Sequence, residues 1–166
     1  MHIRDAAPEE RALIREQRLE AYREHAQSIP DGHWQALARA IGSDADARLG
    51  AELIVAETDG QIAGSVVLFP ANTDAYDGHA DKQDYPEIRM LAVSLDHRGK
   101  GVASALIAEC VRRARASGSR AIGLHTGEFM KDARQLYEKL GFERLPQHDF
   151  FPADDGIRVM AFRLNL

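Results

Sequence analysis

Apolar positions recur along the chain at two spacings, and the switches between them divide it into strands and helices. A short strand is predicted at residues 2–5. Pro8-Glu9-Glu10 then opens a helix, since proline suits a first turn and acids complement the helix dipole. Ala12, Leu13, Leu19 and Tyr22 give that helix an apolar stripe reaching about residue 26. Trp34, Leu37, Ala38 and Ile41 mark a second helix from Asp31, running to about Leu49 unless Gly42-Ser43-Asp44 interrupts it. Runs at 53–56 and 62–69 read as strands of an antiparallel hairpin turning at Asp59-Gly60, with Gly64 a candidate bulge. An apolar, strand-like run at 88–93 predicts a central strand. Ala103, Leu106, Ile107, Cys110 and Ala114 then repeat at helical spacing over 102–116. A strand at 121–126, a helix at 130–140 stopped by Gly141, a strand from Phe142 and an alternating strand at 157–164 complete the chain. The order βααβββαβαββ predicts an α/β fold of the mixed α+β kind: a central mixed, mostly antiparallel sheet with helices on both sides.

Two loops break this regularity. Residues 70–85 are polar, with Asp74, Tyr76, Asp77, His79, Asp81, Asp84 and Tyr85 among them. A connection this long in a compact domain is often functional, and it leads directly into the central strand. Its acidity would favour a cationic amine nearby; the alternative is a solvated connection. In the second loop, 146–155, Phe150-Phe151 require partial burial.

Composition narrows the function classes. A chain of 166 residues is expected to form a single domain over 1–166 with a substantial core. The formal charge of −5 argues against general nucleic-acid binding. No apolar run approaches the roughly 20 residues that span a bilayer, so no membrane partner is expected. Met1-His2-Ile3-Arg4-Asp5 has no apolar signal region. The one cysteine excludes an internal disulfide framework and fits a reducing cytoplasm. Cys110 falls on an apolar helix face and reads as a buried, inert thiol. The seven histidines are scattered, with no metal-ligand spacing.

The chemistry concentrates where the central strand turns into its helix. Asp96-His97-Arg98-Gly99-Lys100-Gly101-Val102-Ala103-Ser104 joins two cations and two glycines to a helix start. The first N–H groups of a helix lack intrahelical partners and carry the positive dipole end, and glycine permits close backbone approach. Such a turn suits a phosphate or pyrophosphate. It lacks both the P-loop spacing and the Gly-x-Gly-x-x-Gly of a dinucleotide fold. Its Arg98-x-x-Gly101-x-Ala103 resembles the Arg/Gln-x-x-Gly-x-Gly/Ala signature of the GNAT N-acetyltransferase superfamily. A second stretch, Ala133-Arg134-Gln135-Leu136-Tyr137-Glu138-Lys139-Leu140-Gly141-Phe142, resembles that superfamily's Ala-x-x-Leu-Tyr-x-x-x-Gly-Phe pattern. One departure is Met130, where many members carry asparagine; Thr126 or Glu128 is the candidate replacement for its polar contact.

The resemblance implies acetyl-CoA as cosubstrate and an amine acceptor, attacking directly in a ternary complex without a covalent enzyme intermediate. It implies that backbone groups of Leu91, Ala92 and Val93 hold the pantetheine arm, with the Leu91 N–H facing the oxyanion. Arg98, Gly99, Lys100, Gly101, Val102, Ala103 and Ser104 would cradle the pyrophosphate, and Ala133 and Tyr137 would line the donor site. Glu87, four residues before Leu91 and on the same face by strand alternation, is the candidate general base, with His125 and Asp149 as weaker substitutes. Tyr137 is the candidate general acid for the leaving thiolate, because a phenol is protonated at neutral pH. Tyr22, His33 and Trp34 would lie on the acceptor side, where Trp34 reads better as a packing residue. A small cationic amine is the leading acceptor class. The alternatives are a protein or peptide amine, or a CoA-binding sensor without turnover. A homodimer is compatible with the fold, although no residue specifies one.

Overall fold

The computed structural model describes residues 1–76 and 78–166; Asp77 of the polar loop lies outside them. Its element order is the predicted one. The strands are β1 (His2–Asp5), β2 (Glu52–Thr58), β3 (Gln61–Phe69), β4 (Glu87–Val93), β5 (Ala121–Gly127), β6 (Glu143–Arg144) and β7 (Val159–Asn165). The helices are α1 (Arg11–Tyr22), α2 (Asp31–Ile41), α3 (Val102–Ala116) and α4 (Lys131–Lys139). Strand order in the seven-stranded sheet is β1-β2-β3-β4-β5-β7-β6. Every neighbouring pair is antiparallel except β4 and β5.

Side-chain alternation along the strands builds one core on each face. On one face Ile54, Val66, Leu68, Ile88, Leu124 and Phe162 pack under Leu106, Ile107 and Cys110 of α3. On the other, Leu53, Val55, Val67, Phe69 and Met90 pack with Ile14 of α1 and Ile41 of α2. Cys110 is fully buried, and burial pushes its thiol up to about 12, as an inert core position requires. Among the described residues no helix is long and apolar enough to cross a membrane.

Helix boundaries follow local chemistry. Short 3₁₀ turns at Pro8–Glu10 and Arg23–Ser28 flank α1, so the predicted single helix is one α-helix with two tighter ends. Gly42 ends α2, and the Ser43 side chain accepts from the Ala45 N–H to start a 3₁₀ turn at Asp44–Ala47. The interruption foreseen at 42–44 is therefore the real end of the helix. The register shift in the hairpin places the extra residue at Ala63, beside Gly64. Gly64 itself is needed for approach: a Cβ there would stand 2.7 Å from the Ala92 carbonyl oxygen and 3.0 Å from Val102 Cγ1. That contact seats the start of α3 against β3.

A buried ion cluster ties α1 to the segment after α2. Asp46 and Arg18 are both fully buried, 3.1 Å apart, and Arg15 reaches Asp46 at 2.6 Å. Burial alone would raise the Asp46 carboxyl, but the hydrogen bond from Arg15 and the charge of Arg18 outweigh it, and the net shift is downward. Asp46→Ala leaves the Arg18 guanidinium buried without its counter-ion and should cost about 3–5 kcal/mol in urea unfolding. The folded-state value lies below the unfolded one of about 4. The stabilisation is thus complete above that pH and is lost as pH falls through the lower, folded value. An acid-unfolding midpoint that does not move in the variant would refute this account.

Candidate active site

The sheet splits where its only parallel pair begins. β4 and β5 pair at Glu87–Gly123 and Ile88–Leu124 and no further. Beyond this point a ligand can reach the facing edges of both strands. The split has a physical cause. The Tyr76 hydroxyl accepts from the His125 N–H of β5 at 3.0 Å and donates to the Ile88 carbonyl of β4 at 3.4 Å. One phenol oxygen thereby stands in the ladder where the next interstrand bond would lie. It satisfies both backbone groups while holding the strands apart. Burial, then nearby Glu87, pushes the Tyr76 phenol well above its ordinary value, so it remains a donor.

A second irregularity lies opposite. Met90 and Leu91 of β4 together face Val66 of β3, and Met90 takes φ 61°. This β-bulge corrects the expectation that Glu87 and Leu91 share a face. Ile88 and Leu91, three residues apart, both pack in the core under α3, while Met90 between them packs in the core under α1 and α2. The extra residue breaks the alternation, and re-aiming of this kind is what bulges do beside functional sites.

The split opens onto two adjoining hollows of about 330 and 410 Å³. Leu91, Ala92, Val93, Arg98, Phe129, Met130 and Ala133 line both. The second is finished by Gly99, Gly101, Val102, Ala103 and Ser104. Here α3 begins with no side-chain cap and no acid in its first turn, so its leading N–H groups face the hollow unclaimed. Gly101 takes φ 80°, a left-handed conformation that side-chain-bearing residues adopt at a cost of roughly 1–2 kcal/mol. The Arg98 side chain braces the turn. Its guanidinium crosses to Glu24 at 2.5 Å and to the Ala21 carbonyl at 3.1 Å, tying the turn to the end of α1.

The first hollow contains Tyr22, His33, Tyr76, His79, Arg89, His125, Phe150 and Tyr137. Tyr22 and His33 are where the sequence suggested; Trp34 is buried in packing instead. Tyr137 is buried, and its phenol is pushed upward by burial first and then by Tyr22 and Cys110. Glu87 is buried and does not line the hollow; His125, which does, lies beside it with Nδ1 3.3 Å from Glu87 Oε2. The other ring nitrogen, Nε2, is 3.0 Å from the His148 carbonyl. A carbonyl only accepts, so Nε2 carries hydrogen, and a proton taken up between Nδ1 and Oε2 would be held by two acceptors. Asp149 is committed elsewhere: it is paired with Arg144 at 2.6 Å and accepts the Ala161 N–H. Burial would raise its carboxyl, yet those donors carry the net shift downward. At the Met130 departure, the Thr126 hydroxyl points to the Met130 sulfur at 3.4 Å, while Glu128 accepts the Arg158 N–H.

Among its described residues, the acidic loop supplies no carboxylate to the cleft. Of its described residues only Tyr76 and His79 reach the lining, and Asp74, Asp81 and Asp84 do not. Sequence reading missed the Tyr76 bridge, which depends on a loop folding back over the split, and the His125–Glu87 contact, which depends on the pairing of β4 with β5. Tyrosines in a polar, acidic stretch were the available signal for the first.

A sheet split at its parallel pair, with an uncapped helix start at its mouth, sets open strand edges and an anion-binding helix end in one cleft. Residues 12–142 match the model of the acetyltransferase (GNAT) family. The chain belongs to this family. A stretch of 95 residues is 36% identical to N-acetyltransferase 8 of Rattus norvegicus, covering 57% of this chain and 40% of that protein. The chain thus matches only about two-fifths of that relative's length. Among solved structures, histone acetyltransferase HPA2 and related acetyltransferase from Corynebacterium glutamicum superposes with TM-score 0.70 at 24% identity, over 97% of this chain and 93% of that one. A GNAT family acetyltransferase from Brucella melitensis in complex with acetyl-CoA superposes with TM-score 0.62 at 23% identity, over 99% and 90%.

The Tyr76 bridge yields a direct test. Tyr76→Phe leaves a buried N–H and a buried carbonyl without their partner, a loss of about 1–3 kcal/mol. Faster amide exchange at His125 and a lower urea midpoint are the expected outcome. Unchanged exchange at His125 would show that the hydroxyl does not hold the split.

Proposed function

We propose that this chain is an acetyl-CoA-dependent N-acetyltransferase that acetylates a primary amine of a small molecule by direct attack in a ternary complex. The observation that carries the reading is the β4–β5 split opening continuously from the uncapped start of α3 into the tyrosine- and histidine-lined hollow. Acetyl-CoA supplies the thioester that the amine attacks. The exposed N–H groups at Val102, Ala103 and Ser104 suit its pyrophosphate, with Gly99, Lys100 and Gly101 shaping the approach and Arg98 bracing the turn through Glu24. The freed edge of Leu91, Ala92 and Val93 offers backbone groups to the pantetheine amides, with Ala133 on the facing helix. The Leu91 N–H, directly after the bulge, polarises the carbonyl; one such donor is typically worth about 3–4 kcal/mol in the transition state.

Two side chains handle protons. Glu87 takes the amine proton through a water beside His125, and the gap between Oε2 and Nδ1 then holds it. Tyr137 lines the hollow and stays protonated because burial disfavours its phenolate, so it is a donor for the departing thiolate. The aromatic lining and small volume favour a small acceptor over a protein chain.

Acetyl-CoA-dependent thiol release against a panel of amines tests the reading, with CoA affinity measured in parallel. Tyr137→Phe is expected to lower kcat at least about tenfold with donor affinity little changed; an unchanged kcat would remove Tyr137 from the mechanism. Gly101→Val, forced into a left-handed conformation at the mouth, should raise donor KM more than Arg98→Ala. The reverse order would overturn the backbone-cradle account. CoA binding without thiol release from any amine would indicate a sensor.

A further inference from the structure

The charge of the acceptor hollow departs from what a cationic substrate needs. Three permanently charged residues line it: Glu24, Arg89 and Arg98. Glu24 and Arg98 are paired to each other at 2.5 Å. Arg89 is left without a carboxylate partner among the described residues. One of its terminal nitrogens donates to the Ala75 carbonyl, and the guanidinium lies 4.9 Å over the Tyr76 ring. The rest of its planar fork remains available. Behind the same wall sits Arg18, fully buried, with Nε and Nη2 unpartnered. It holds the Ile41 carbonyl, and Ile41 lines the hollow. Asp46 neutralises Arg18 at 3.1 Å, so the cation this end of the hollow offers a ligand is Arg89, with Leu37, Ile41 and Phe150 as apolar wall.

We propose that Arg89 binds a carboxylate on the acceptor, so that the substrate is an amino-acid-type amine with an apolar body. This inference rests on the acetyltransferase reading and replaces a purely cationic acceptor with a zwitterionic one. A guanidinium fork matches a carboxylate in two parallel hydrogen bonds, and the apolar wall beside Arg89 strengthens them. Arg89 lies two residues after Glu87 on the same strand, ahead of the bulge, so carboxylate recognition and proton removal sit on one wall. The apolar body of the substrate packs against Leu37, Ile41 and Phe150.

The test compares matched amines that differ only in the carboxylate: phenylalanine against phenethylamine and leucine against isoamylamine, with spermidine and O-phosphoethanolamine as further arms. The expected result is kcat/KM at least about tenfold higher for each amino acid, carried by KM. Arg89→Gln should collapse that ratio to near one, and Arg89→Lys should restore it in part. CoA affinity of each variant reports that it is folded. Equal rates within the pairs, a preference for spermidine or the phosphorylated amine, or a ratio that survives Arg89→Gln would overturn the proposal. If no amine releases thiol, the acetyltransferase reading fails while this one is still decided: titration of the CoA-loaded protein should then show binding of the amino acids and none of their decarboxylated partners. Failure of the amino acids to bind in that titration would refute it.

Discussion

The Tyr76 hydroxyl occupies the place of a ladder hydrogen bond between β4 and β5, and the architecture of the cleft depends on that substitution. Without it, two parallel strands in register at Ile88 and Leu124 would have every reason to continue pairing. Each backbone group left open in a sheet interior costs free energy, so a split is stable only when something accounts for the groups at its apex. The phenol does so for both strands with one oxygen. Its ring carries further contacts: it lies edge-on to His125 at 4.5 Å, near Phe150 at 5.9 Å and under Arg89. One loop residue therefore organises the apex, the imidazole and the cation at once.

Energetics and chemistry coincide along β4. A methionine in the left-handed region is uncommon, and strain of this kind, of order 1–3 kcal/mol, persists only where packing over-determines it. Here Met90 is held in the core under α1 and α2, and the absent side chain of Gly64 lets Ala92 come close on the β3 side. The bulge puts Leu91 on the same face as Ile88, under α3, where regular alternation would have put it opposite. The strand thus presents Glu87 and Arg89 toward the acceptor hollow's wall, and a freed backbone edge beyond it.

Element order, the hairpin, the basic turn and the two motif-bearing helices were legible in the sequence because each is a local pattern: apolar period, turn dipeptide, glycine at a helix end. The donor half of the site was legible for the same reason, being built from consecutive residues. The bulge at Met90 was not, since nothing in Ile88-Arg89-Met90-Leu91 distinguishes a regular strand from an irregular one, and the alternation argument placed Leu91 on the wrong face. The ties of Arg98 to Glu24 and Ala21 were not legible, since those partners lie on another element that only folding brings near. Tyr22 and His33 of the acceptor half were legible as residues of the first two helices, but Tyr76, Arg89, His125 and Phe150 come from four separate stretches that only folding brings to one hollow.

The seven strands are two antiparallel leaves, β1 to β4 and β5 with β7 and β6, laddered along their lengths and joined by two residue pairs and one hydroxyl. Antiparallel neighbours close short loops and assemble from nearby chain, whereas a parallel seam needs a helical crossover and a longer closure. The seam accordingly closes through the α3 crossover, and its ladder ends after two pairs. The cleft is made by the joining of the leaves rather than carved into either one, so the capacity to bind appears only with the completed fold.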